Sequence, residues 1–249
     1  MYVRDAGHGP AVLLLHGSPS SPEHFAPLAE ALASHRRVLV PDLPGYGRSP
    51  ALQETYTFAR VNELLERELL DRGIREFAVV GHSLGAYRAL LLALARGSRV
   101  TQLVLLGAML GPEPSERAAY RHFAALTRQP DVDIGAMLVP RMLSAEYVQA
   151  HPDGAKQVSE WGDIATRQTL AAELEAVADA EDLRPRLGEL DVPILVRAGA
   201  IDLALPLACG ELVAARARDA RLEVVPGCGH VLLLEDTANT VASIVTWLR

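Results

Sequence analysis

Short runs of consecutive apolar residues recur along the chain, and most are closed by turn residues. Ala11–Leu15 ends at His16-Gly17, Val38–Val40 at Pro41-Asp42, Phe77–Val80 at Gly81 and Leu103–Leu106 at Gly107. Ile194–Val196 leads to Ala198-Gly199, and Leu222–Val225, apolar but for Glu223, to Pro226-Gly227. Runs that are apolar at successive rather than alternate positions predict strands buried on both faces. Between several of them lie segments of helical spacing: Ala26–Ser34, Phe58–Arg72 and Ala86–Arg96. Strand–helix–strand repetition implies right-handed crossovers and a parallel sheet with helices on both sides. From about residue 112 to 190 the alternation lapses and no strand is predicted. Helices are expected over Glu116–Thr127, capped by Ser115, and near Arg167–Ala180, before Leu190-Asp191-Val192-Pro193 resumes the sheet. We read this as a helical lid inserted in a single α/β domain spanning residues 1–249.

Composition narrows the class. Hydrophobic residues make up 49% and charged residues 22% of the 249, a globular balance and not a disordered one. The formal net charge of -7 argues against a nucleic-acid binder, which needs a basic face. Two cysteines, Cys209 and Cys228, are too few for a disulfide framework and read as small buried hydrophobes. Without a Cys-x-x-Cys or His-Glu-x-x-His stretch, no metal is expected. The most apolar stretch, Ala89 to Ala95, falls far short of the ~20 residues of a membrane span. Residues 1–10 have neither the basic nor the apolar region of a signal peptide. A cytoplasmic protein with no membrane partner is the expectation.

The chemistry starts at Gly81-His82-Ser83-Leu84-Gly85, between a buried strand and a helix. A Gly-x-Ser-x-Gly turn there holds its serine in strained backbone at a helix N-terminus, where free N–H groups favour negative charge. The same turn would also arise with Ser83 as a simple helix N-cap. A hydroxyl needs a base, and His230 in Gly227-Cys228-Gly229-His230 follows the last predicted strand. His82 should point away from Ser83, and His16 should brace its loop. His8, His24, His35, His122 and His151 suit solvated positions. A base needs an acid to fix its tautomer. Asp202 follows the Ile194–Val196 strand among apolar neighbours; Glu113 is the alternative. His16-Gly17-Ser18-Pro19 supplies a turn in which the Ser18 N–H can pair with that of Leu84 as an oxyanion hole. His16 and Gly17 then border the substrate, and Met137, Leu138, Met142 and Trp161 of the helical region are candidates to line its pocket.

These segments, in this order, resemble the α/β-hydrolase superfamily, in particular its lidded serine esterase and lactonase-like members. His16–Pro19 looks like that family's oxyanion turn and Asp42-Leu43-Pro44-Gly45-Tyr46-Gly47-Arg48-Ser49 like the loop after its next strand. Gly81–Gly85 looks like the nucleophile elbow, Gly199–Pro206 the acid segment and Gly227–His230 the histidine segment. The resemblance implies a mostly parallel central sheet flanked by helices, with a helical lid. It also implies a Ser83-His230-Asp202 triad that cleaves a small or medium ester or lactone through an acyl-enzyme, without a cofactor. The chain starts where the family usually has its second strand, so the first is expected to be missing. Ala86 stands where a second glycine is frequent. Other reactions of the same triad remain open: carbon–carbon bond, thioester or perhydrolytic chemistry. A ligand-binding sensor on this fold is the rival from another class.

Overall fold

The computed structural model describes residues 1–249. Seven strands form one sheet: β1 (Val3–Gly7), β2 (Ala11–Leu15), β3 (Arg37–Pro41), β4 (Phe77–His82), β5 (Val100–Leu106), β6 (Ile194–Gly199) and β7 (Ala220–Val225). Their order is β1-β3-β2-β4-β5-β6-β7. All neighbours are parallel except β1, which runs antiparallel to β3 with Val3 opposite Pro41. Six strands coincide with the predicted apolar runs. β1 was implied only by the resemblance, because Val-Arg-Asp-Ala-Gly contains no apolar run. It is an edge strand whose half-exposed face carries Asp5, paired with Arg37 at 2.6 Å.

Alternate residues of the central strands feed two cores. Leu13, Leu15, Val79, Leu103 and Leu105 pack against α2 (Phe58–Asp71), α3 (Leu84–Leu94) and α9 (Leu207–Arg216) through Leu65, Leu69, Leu90 and Val213. Val12, Leu14, Val80, Val104 and Leu106 face the other way, toward Leu28 of α1 (Ala26–Leu32) and Ile244 of α11 (Thr237–Trp247). With both faces covered, the central strands are apolar at nearly every position, which is why their runs were legible. The helix after β2 lies on one face and the helix after β4 on the other. The chain order therefore reverses at the β2/β4 pair, where a crevice opens beyond the carboxyl ends of the strands.

Between β5 and β6 the chain forms α4 (Arg117–Thr127), α5 (Ile134–Met142), α6 (Ala145–Ala150), α7 (Pro152–Glu160) and α8 (Arg167–Ala178), with no strand. Ser115 does not cap α4. Glu116 occupies the cap position without capping, and its Oε2 accepts the Glu113 N–H instead at 2.7 Å. A short α10 (Leu232–Glu235) precedes α11. No helix is long and apolar enough to cross a membrane.

One of the tightest backbone approaches in the fold lies where α3 starts. A β-carbon on Gly85 would sit 2.0 Å from the Leu15 carbonyl oxygen, so only glycine lets α3 lie against the end of β2. Ala86 is fully buried one residue later. Gly85→Ala is expected to destabilise by more than about 3 kcal/mol, above the usual overpacking range, or to abolish soluble expression. Ala86→Gly is expected to cost only about 1–2 kcal/mol through a lost methyl group and helix propensity. Urea unfolding of both variants checks the contrast.

Candidate active site

Ser83 joins β4 to α3 with φ 57°, the only non-glycine residue with positive φ. That conformation is disfavoured for an L-residue and persists only where the surroundings impose it. Here the Ser83 N–H donates to the Leu106 carbonyl at 2.9 Å, and Gly17 packs against the Ser83 side chain. Ser83 occupies the N-cap position of α3, but its hydroxyl makes no cap bond. The capping alternative therefore does not describe it.

His230 and Asp202 meet from the ends of β7 and β6. His230 Nδ1 lies 2.7 Å from Asp202 Oδ2, with both side chains buried. The other carboxylate oxygen accepts the N–H groups of Ala204 and Leu205, each at 2.8 Å. All of these contacts engage the carboxylate as an acceptor. The proton of the pair therefore sits on His230 Nδ1, leaving Nε2 with its lone pair. Nε2 is buried and bonded to nothing in the protein. Glu113, the alternative acid, lies on the surface and pairs with Arg184 at 3.6 Å. Gly107, which the sequence reading passed over, backs the histidine ring. A β-carbon there would lie 2.7 Å from His230 Cε1, and its φ of 58° favours glycine as well. The His230 loop is also tied to the helical region, since the Met142 carbonyl accepts the His230 N–H at 2.9 Å.

The Ser18 turn lies beside Ser83 across the crevice. The Ser18 N–H makes no hydrogen bond within the protein, and the Leu84 N–H, first in α3, has no intrahelical acceptor. Both residues line a cavity of about 200 Å³ together with Ser83. The rest of that wall is mostly apolar and comes from α4, α5 and α8; it includes Met137, Leu138 and Met142. An adjoining cleft of about 470 Å³ shares Tyr120, Phe123 and Arg141 with it. The largest cavity, about 840 Å³, lies by Tyr56 and Glu175 and does not include Ser83.

Four expectations need correction. Trp161 is not in the cavity wall; it is buried behind it, 5.6 Å from the His24 ring. His16 does not face the cavity either. It is fully buried and braces two loops, with Nδ1 at the Gly17 carbonyl (2.8 Å) and Nε2 accepting the Leu43 N–H (3.2 Å). Gly17 likewise contacts Ser83 and does not line the cavity. His24 is buried, not solvated, with its ring 5.1 Å from that of His82. His82 in turn packs 4.7 Å from the His230 ring and bonds the His230 carbonyl at 3.2 Å.

Sequence reasoning also missed a buried polar cluster beside Ser18. Glu173 of α8 forms an ion pair with Arg88 of α3 at 2.7 Å, with both side chains buried. The hydroxyls of Tyr46, Tyr56 and Ser18 converge on the same carboxylate. Burial, followed by the Glu173 charge at Tyr46 and by opposing Arg88 and Glu173 charges at Tyr56, holds both phenols well above their ordinary pKa. Burial alone would lower Arg88, but Tyr56 and Glu173 more than reverse that. The available signal was an arginine inside the apolar stretch Ala86–Leu94, which must find a partner.

The sequence matches the family described as alpha/beta hydrolase fold over residues 10–237. It is similar to the 2-hydroxy-6-oxo-6-phenylhexa-2,4-dienoate hydrolase of Burkholderia cepacia, with 28% identity covering 92% of this chain and 84% of that protein. It is also similar to the 2-hydroxy-6-oxononadienedioate/2-hydroxy-6-oxononatrienedioate hydrolase of Paraburkholderia xenovorans (strain LB400), again at 28%, with coverages of 92% and 84%. Among solved structures, a malate-bound thermophilic esterase from Thermogutta terrifontis superposes with a TM-score of 0.93 and 26% identity, over 100% of this chain and 92% of that one.

The buried histidines set an acid limit on stability. Burial lowers His16 to about 4 and His24 to about 3, and it takes His82 well below 6.5. The unfolded chain therefore binds protons before the folded chain does. Their stabilising contribution is complete above about pH 6.5 and is lost as pH falls from there toward 4 and below. Tm is expected to fall steadily over that window, and less steeply in His24→Phe, as measured by thermal scans from pH 7.5 to 4.

Proposed function

Because this chain belongs to the α/β-hydrolase fold family, we propose that it is a serine hydrolase that cleaves small or medium carboxylic esters or lactones. The observation that carries this reading is the pairing of His230 with Asp202, which leaves a buried, unpartnered Nε2 on the sheet edge that also bears Ser83. His230 Nε2 takes the proton of the Ser83 hydroxyl as Oγ attacks the substrate carbonyl. The tetrahedral oxygen accepts the Ser18 and Leu84 N–H groups. Nε2 then returns its proton to the leaving alkoxide, which departs as an alcohol or stays tethered if the substrate is a lactone. Water repeats the sequence against the acyl-enzyme. Asp202 holds Nδ1 throughout and stabilises the imidazolium. The helices between β5 and β6 act as a lid, since α4, α5 and α8 supply most of the cavity wall above Ser83. An apolar wall suits an aliphatic acyl or alcohol group.

One observation favours a second reading, carbon–carbon bond hydrolysis of a keto acid. Arg141 lines both the cavity and its adjoining cleft and has no acidic partner, so it could receive a substrate carboxylate. The two curated relatives are named for substrates of that anionic kind.

Turnover of p-nitrophenyl acetate, butyrate and octanoate and of a simple lactone tests the first reading. The wild type should hydrolyse them and Ser83→Ala should not. Asp202→Asn should lose ~10³–10⁴-fold in kcat while still folded. Activity should fall on acidification, because a protonated His230 cannot accept the Ser83 proton. Should a 2-hydroxy-6-oxo-dienoate turn over far faster than any ester, with KM raised at least about tenfold in Arg141→Gln, the second reading replaces the first.

A further inference from the structure

The hydrolytic steps make no use of Glu173, yet its carboxylate is the hub of the buried polar cluster. Oε1 accepts from Arg88 Nη2 at 2.7 Å and from the Tyr56 hydroxyl at 2.6 Å. Oε2 accepts from the Ser18 hydroxyl at 2.5 Å and from the Tyr46 hydroxyl. The Tyr46 and Ser18 oxygens are themselves 2.8 Å apart. Stability does not account for such a pair. Taking both charges out of water is costly, and apolar replacements of buried ion pairs are often neutral or stabilising. What the carboxylate joins is more informative. Arg88 lies on the helix that Ser83 begins, Tyr46 and Tyr56 lie between β3 and α2, and Glu173 lies on α8. Ser18 is the member that follows Gly17 against Ser83, lines the cavity and keeps its backbone N–H free of any partner in the protein.

We propose that Glu173 is a positioning residue for the oxyanion hole, a role that rests on the serine-hydrolase reading above. The turn after Gly17 has no regular secondary structure to aim the Ser18 N–H. An oxyanion donor stabilises charge only when held within hydrogen-bond distance of the place where that charge develops. Binding the Ser18 hydroxyl to a fixed carboxylate restricts the rotation of the residue whose N–H must point at the substrate. Arg88 holds that carboxylate in place from the helix that carries Ser83. Nucleophile and oxyanion donor are thus referenced to one buried ion pair. Since Glu173 belongs to the helices between β5 and β6, seating α8 and aiming the Ser18 N–H become a single requirement.

The test compares wild type, Glu173→Gln and Ser18→Ala. Ser18→Ala cuts the tether but keeps both the N–H and the ion pair. Two readouts are taken: kcat and KM on p-nitrophenyl butyrate, and the rate at which a fluorophosphonate labels Ser83. In labelling, Ser83 Oγ bonds phosphorus, fluoride leaves, His230 takes the proton and the phosphonyl oxygen occupies the hole. Both variants are expected to lose ~10–100-fold in kcat and in labelling rate, with KM within about twofold. Tm should drop in Glu173→Gln and stay within about 2 °C in Ser18→Ala. A purely structural Glu173 would lower Tm in Glu173→Gln while folded protein kept wild-type kcat and labelling, and Ser18→Ala would be silent. That pattern overturns the proposal and leaves the hydrolase reading intact. A folded wild type that neither hydrolyses ester nor labels at Ser83 overturns the hydrolase reading itself, and the role of Glu173 with it.

Discussion

The contact between Gly85 and the Leu15 carbonyl is the constraint from which the site follows. It seats the start of α3 directly on the end of β2, closer than any side chain would permit. The turn between β4 and α3 must then be made in one step, and Ser83 takes up the left-handed backbone that such a step requires. The same closeness brings Gly17 against the Ser83 side chain, so the Ser18 and Leu84 N–H groups border one cavity. Were α3 withdrawn by the width of a methyl group, the serine, the turn and the two donors would lose their common focus. The sheet order makes this contact possible, because β2 and β4 are neighbours whose helices leave toward opposite faces.

Burial is used in two opposite ways around that focus. His16, His24 and His82 are shut away with few polar partners, so desolvation outweighs everything else and keeps them neutral. Neutral rings can pack behind the site and brace loops without bringing charge to it. Asp202 and Glu173 are equally inaccessible but are surrounded by donors: two backbone N–H groups and an imidazole for one, an arginine and three hydroxyls for the other. Both carboxylates are held in place by what they accept. In the proposed chemistry one orients the base and the other orients the oxyanion turn.

The sheet and the cavity wall are built from different parts of the molecule. Strand ends supply Ser83, Asp202 and His230, whereas the helices between β5 and β6 supply most of the cavity wall. The relatives illustrate the division, since proteins named as dienoate hydrolases are similar to this chain in sequence and one named as an esterase is similar in structure. Arg141 is the one cation in that wall, with no acidic partner, and in the proposed chemistry it is the group that would tell an anionic substrate from a neutral one.

The sequence by itself determined the parts whose physical cause is local. A strand buried on both faces must be apolar throughout, so the central strands could be read directly; of the two edge strands, β7 was legible through Leu222, Val224 and Val225, whereas β1, with no apolar run, was not. Gly81, Ser83 and Gly85 mark a turn whose steric demand is met within five residues. Asp202 and His230 stood out because polar groups at the ends of buried strands need a reason to be there. Tertiary structure alone decided what depends on partners distant in the chain. Glu173 is 85 residues from Arg88, and nothing near either one names the other. Trp161 and His24 each have a composition suited to a pocket or a surface, and only their mutual packing puts them in the core. Ser115 had a capping residue's chemistry but lost the position to Glu116. Local patterns record which groups must be buried; which group meets which is settled only when the chain closes on itself.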